Sequence, residues 1–421
     1  MTRKYLLLIG LALLTGCSGG GDSSPVPPSA STPAVQPDML TATPQGLLRG
    51  KASGEGQQLI FAHANLQRET VVVSEGHVVY SRPQPIQTQA FFPQSDIWTV
   101  HTDGTGDQAL INTPNDETIE AVNGPWLIYL KKDSGGNEEQ RSVRLDTGAQ
   151  FHITSPLEFG VDRVQFQNEN RIIISGEHEI RSFTTTGTDR INYAFADITD
   201  IRGPQLYPAM HDKDHLVFVS TFDTQGSVGN VFSVPLVGGV PIALDDEKAY
   251  VFLKGIVGSR VIYHRCESIA NPAISIGPCD VVSVQTDGGN KAILASQPAN
   301  EAVQGFTTDQ VIIRRNLSGN DQLIAVPVAG GPEKLLTTLT DSEFVDLVAG
   351  DVLIIRRPSG TWSQDLNGKL TKLGTVVGDS GFIAVGNAVC VTKVTAVWCM
   401  PLDGSGAQVK IADNGKVVGV L

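Results

Sequence analysis

Apolar and polar residues alternate along this chain in short runs, and the runs recur. DIWTVHTDGTGDQALI (96–111), NVFSVPLVGGVPIAL (230–244), DVVSVQTDGGNKAIL (280–294), QLIAVPVAGGPEKLL (322–336) and VWCMPLDGSGAQVKI (397–411) share one plan. Each reads as a strand of period two, a glycine-bearing turn and a shorter second strand. Asp-Gly and Gly-Gly supply the positive φ that tight hairpins need. Weaker copies are SVRLDTGAQFHIT (142–154), EIRSFTTTGTDRINYAF (179–195) and SQDLNGKLTKL (363–373). The turn glycines are Gly104, Gly148, Gly187, Gly238, Gly288, Gly330, Gly368 and Gly404, at steps of 44, 39, 51, 50, 42, 38 and 36 residues.

Before each such hairpin lies another, whose second strand is strongly apolar: HVVYS (77–81), WLIYL, RIIIS, HLVFVS, RVIYH, QVIIR, DVLIIR and AVCVT. Strands so rich in Val and Ile suit sheets covered on both faces. No amphipathic helix is evident beyond the N-terminus. Four strands per roughly 40–45 residues is the period of a propeller blade. The expectation is an all-β chain, a single β-propeller of four-stranded blades, with eight blades favoured and seven the alternative. The tail GKVVGVL (415–421) reads as one more strand, able to pair with the first blade and remove the free edges. Over roughly residues 66–421 these units resemble the TolB-like, WD40-like class of propeller repeats, although that class's Trp-Ser-Pro-Asp-Gly turn is absent.

The first hairpin of several units begins on an acid and ends on a base. Glu343 and Arg357, Glu301 and Arg315, and Asp379 and Lys393 are each 14 residues apart about a turn. Glu117 and Lys132 are 15 apart, and Glu69 and Arg82 are 13 apart. Each pair is expected to face across an antiparallel ladder as a structural ion pair, contributing about 0.2–1 kcal/mol and helping to fix register.

The N-terminus changes the picture of the compartment. Arg3 and Lys4 precede the apolar run YLLLIGLALL, which is too short to span a bilayer. Leu14-Thr15-Gly16-Cys17 follows and resembles the lipobox of bacterial lipoproteins. The resemblance implies cleavage after residue 16, lipid on Cys17 and, with Ser18 next, an outer-membrane destination with no transmembrane helix. Residues 17–44 then read as the lipidated cysteine and a Gly/Ser/Pro-rich tether, and residues 45–421 as the propeller.

Formal net charge is −13, or −15 once Arg3 and Lys4 are removed with the signal, which argues against nucleic acid as a partner. Cys266, Cys279, Cys390 and Cys399 remain, an even number for an oxidising compartment. Their places on the hairpins predict disulfides 266–279 and 390–399.

Candidate chemistry is sparse, and no cofactor or metal is expected. His211-Asp212-Lys213-Asp214-His215 is the densest group of possible metal ligands, but it precedes a strand and reads as a polar turn. Asn115-Asp116-Glu117 and Asp245-Asp246-Glu247 read as solvated loop charge. Gly378-Asp379-Ser380-Gly381 matches the tetrapeptide around the chymotrypsin-like nucleophile, yet Phe382 replaces that family's next glycine. The functional expectation is a non-catalytic envelope lipoprotein whose propeller is a scaffold for an envelope protein or a ligand. A polysaccharide hydrolase or lyase, and a carbohydrate-binding propeller, are the alternatives.

Overall fold

A computed structural model describes residues 37–66, 70–84, 94–154, 161–176, 180–193, 206–221, 228–245, 249–268, 276–296, 301–317, 320–340, 342–375, 380–393 and 396–421. Among them every named element is a β-strand, and no helix is long and apolar enough to cross a membrane. The strands form nine four-stranded antiparallel sheets among the described residues. The fold is an all-β propeller, and its blade number is nine rather than eight or seven.

Blades 2 to 9 occupy residues 71–111, 116–154, 161–192, 206–243, 250–295, 301–339, 344–374 and 380–413, each built in chain order from inner to outer strand. Blade 1 is composite. Its second, third and outer strands are Asp38–Thr43, Gly46–Lys51 and Gln58–Ala62, and its inner strand is Lys416–Val420 from the far end of the chain. The tail thus closes the ring by pairing Met39 with Val420 and Ala42 with Lys416.

Two features hid the ninth blade. DMLTAT has little aliphatic bulk and was grouped with the tether to residue 44, yet Met39 through Thr43 are all buried between their two neighbours. Its hairpin turn, KASGEG (51–56), carries Gly54 at φ 83°, matching φ 86° at Gly104 and Gly288 and extending the marker series by one.

Nine hydrophobic clusters run round the described ring, one between each adjacent pair of blades, the last joining Met39 and Ala52 of blade 1 to Val397 and Ile411 of blade 9. The apolar second strands supply most of them: Val78, Val79, Tyr80, Leu127, Ile128, Tyr129, Val261, Ile262 and Tyr263 are fully buried. Burying such a side chain contributes about 1.5–3 kcal/mol. Neighbouring blades are also joined by polar bonds from these interfaces. Ser363 Oγ donates to the Leu402 carbonyl at 2.9 Å, and the Tyr193 hydroxyl donates to the Leu236 carbonyl at 2.6 Å.

The inner strands approach one another closely, and their backbones are adapted to it. In blades 1, 3, 6, 7 and 8 the pairing of inner and second strand shifts by one residue at the same step, and in blade 9 it shifts one pair further from the turn. Such a bulge adds twist and bends the strand. The residue after it is Gly255 in blade 6 and Gly305 in blade 7. A Cβ there would lie 2.4 Å from Phe306 and 2.5 Å from Val348 on the next inner strand.

Candidate functional site

The bulges decide what the central channel presents. A bulge residue sits outside the ladder, so its side chain departs from the blade's alternation. The six positions are Val418, Glu120, Lys254, Gln304, Asp346 and Gly381 in blades 1, 3, 6, 7, 8 and 9. Two residues earlier stand Thr118, Phe252, Ala302 and Phe344 in blades 3, 6, 7 and 8, all exposed. A side chain exposed on an innermost strand is exposed to the channel or its mouth. Phe252 and Phe344 are 40% and 41% accessible there.

Three residues before the bulge, the repeat places an acid. Glu301 lies opposite Arg315, with Glu301 Oε1 and Arg315 Nε 2.7 Å apart, and Arg315 also grips Glu333 through two bonds of 2.9 and 2.8 Å. Glu343 Oε1 lies 3.2 Å from Arg357 Nε. The pair read as Glu117 and Lys132 is not formed. Glu117 faces Lys131, while Lys132 faces Asp116 and bonds Glu138 at 2.9 Å. Counting outward from the turn omits the extra residue at Glu120, and so lands one position too far. Arg82 faces Asp96 and lies 4.4 Å from the Trp98 ring centre. Glu69 and Asp379, the remaining acids of that reading, lie outside the described residues, as does the Gly378-Asp379 half of the Gly378–Gly381 tetrapeptide.

Perturbed ionisation gathers on the same strands. Glu117 is 1% exposed, so it is not solvated loop charge; desolvation pushes its carboxyl up to about 7 despite the hydrogen bond from Thr113. Asp96 and Asp116 nearby add to the rise. Asp245 is buried too, holding the Tyr263 hydroxyl at 2.7 Å and Lys291 Nζ at 2.6 Å. Glu120 keeps access to solvent but is crowded by its surroundings, and that desolvation pushes it to about 7, with Gln140 Nε2 donating to it at 3.2 Å. Burial likewise lowers Lys254 and raises Asp346, the latter against the pull of Arg356 at 3.2 Å. His264, beneath Lys254, is lowered to about 4 by burial first and by the lysine second; its Nε2 accepts the Val303 N–H at 3.3 Å.

The other singled-out residues serve structure. Cys266 and Cys279 face each other across the second and third strands of blade 6 and are bonded, as are Cys390 and Cys399 in blade 9. His211 to His215 form a turn in blade 5. Asp212 Oδ1 accepts the N–H of Asp214 at 2.7 Å and of His215 at 2.6 Å, and His211 Nε2 lies 2.8 Å from the Phe166 carbonyl oxygen of blade 4. Among the described residues no group of three His, Cys, Asp or Glu side chains is arranged to hold a metal ion. Cys17 lies outside the described residues. The bulge residues escaped the sequence reading, although their signal was present. Glu120, Lys254 and Asp346 each stand four residues before a turn glycine, as charges among apolar neighbours.

No family model matches the chain, and no curated protein matches it. Solved structures do. Dipeptidyl peptidase 4 of Porphyromonas gingivalis aligns with a TM-score of 0.56 and 12% identity, over 80% of this chain and 58% of that one. A prolyl endopeptidase aligns with a TM-score of 0.45 and 10% identity, over 72% of this chain and 48% of that one. A post-proline cleaving enzyme from Rickettsia typhi gives 0.44 and 10%, over 80% and 57%. This chain therefore spans about half to three-fifths of their lengths. The expected non-catalytic scaffold is not what the likeness to dipeptidyl peptidase 4 points to. At such identities what is shared is the fold, a four-stranded-blade β-propeller.

Proposed function

We propose that this chain is a peptidase-type hydrolase whose propeller admits a peptide at the channel mouth and holds it for cleavage. The observation behind the reading is the alignment with dipeptidyl peptidase 4 over 80% of the chain. The channel chemistry is compatible with it. Exposed aromatic rings at Phe252 and Phe344 accept apolar side chains, and Lys254 and Glu120 offer charges of both signs. Glu120 is the proton-transfer candidate. It is solvent-accessible, oriented by Gln140, and poised near neutrality, where a carboxyl both takes and returns a proton readily.

The test is to incubate the full chain with fluorogenic peptides, post-proline and dipeptidyl substrates among them. Saturable cleavage is expected, with Glu120→Gln lowering kcat about 10²-fold at little change in KM. Absence of both cleavage and peptide binding across the panel overturns the reading. The same proposal puts the chain on the cell envelope, anchored through lipid at Cys17, and palmitate labelling that is lost in Cys17→Ala checks it.

A further inference from the structure

We infer that the channel mouth between blades 6 and 8 is a carboxylate-binding subsite, with Lys254 as its anchor and the rings of Phe252 and Phe344 as its apolar walls. The inference rests on the peptide reading above and narrows it to peptides that present a carboxylate beside an apolar residue.

Lys254 is the bulge residue of blade 6, so its side chain leaves the ladder where the inner strand borders the channel. It is half-buried, and among the described residues it has no acidic partner. Its ammonium lies 5.9 Å from the Phe252 ring centre, within cation–π range. A desolvated ammonium without a counter-ion is costly, and a ligand carboxylate removes that cost. Burial lowers the lysine's affinity for its proton, in keeping with this environment.

The apolar part of the site follows from the repeat. Phe252 and Phe344 stand at the same step of their strands, two residues before the bulge, in blades 6 and 8. The equivalent residue of blade 7 between them is Ala302, which leaves space for a side chain. On the blade 8 side the charges are already matched. Asp346 is 3.2 Å from Arg356, whose guanidinium lies 5.2 Å from the Phe344 ring centre. Lys254 is thus the group at this mouth that calls for an outside anion.

The experiment titrates the full chain with three probes: acetyl-Ala-Phe as the free acid, its C-terminal amide, and acetyl-Asp-Phe-amide. The free acid is expected to bind about tenfold more tightly than the amide. Lys254→Met abolishes that preference and Lys254→Arg keeps it, while Phe252→Ala weakens acid and amide alike. If acetyl-Asp-Phe-amide matches the free acid, the subsite holds and takes side-chain carboxylates as well. If acid and amide bind equally to wild type and to Lys254→Met, the subsite is overturned and peptide binding survives. If no probe binds but cleavage of longer peptides persists, the subsite again falls alone.

Discussion

Single side chains in this ring are governed by how far water is kept from them. Glu117 shows it most directly, since its carboxyl is fully covered and holds its proton to about pH 7 instead of the ordinary 4.5. The folded state therefore binds more protons than the unfolded chain between those values. Its contribution to stability is complete below about pH 4.5 and lost as pH rises through 7. His264 works in the opposite sense lower down, losing stability as pH falls from its unfolded value of about 6.5 toward 4. Replacing Glu117 with Gln keeps the shape and removes the charge. Denaturation from pH 5 to 8 should show wild type losing stability relative to Glu117→Gln, by up to about 3 kcal/mol at pH 8. Equal pH profiles would mean that the wild-type carboxyl finds a compensating charge.

At the scale of strands and turns, much was legible because the repeat is written in glycines. Gly104, Gly148, Gly187, Gly238, Gly288, Gly330, Gly368 and Gly404 all adopt positive φ. Their role goes beyond the turn itself. At Gly104 a Cβ would sit 1.7 Å from the Ile60 carbonyl oxygen of blade 1, whereas at Gly76, also at positive φ, it would meet nothing within 4 Å. Gly104→Ala should therefore destabilise by several kcal/mol and Gly76→Ala by about 1 kcal/mol, read by chemical denaturation. The disulfides were legible from strand position, each cysteine pair facing across the second and third strands of one blade. Register was less so. The inserted residue at Glu120 moves the partner of Glu117 from the expected Lys132 to Lys131, because simple alternation makes no allowance for a bulge. The acid–base device itself recurs at Glu301–Arg315 and Glu343–Arg357.

For the whole molecule, the blade count was the least accessible quantity, since the ninth sheet is divided between residues 38–62 and 416–420. The tail is legible as the strand that closes the ring, but its partner Asp38–Thr43 carries too little aliphatic bulk to stand apart from the tether, so the sheet they share goes uncounted. The candidate site was hidden for a related reason: Phe252 and Phe344 lie exposed on the inner strands of different blades, 6 and 8. Ending the chain at residue 414, or beginning it at residue 45, removes one strand of that shared sheet. Either truncation should lower the melting temperature steeply, and adding a peptide of residues 415–421 to the first should restore part of it. The divided sheet also sets an order of events during synthesis. Residues 38–62 emerge early with the edge of the Asp38–Thr43 strand unpaired, and it stays available to wrong partners until residues 416–420 have been made. A holding factor that covers that edge would therefore act on the first sheet made, for as long as the rest of the polypeptide takes to appear.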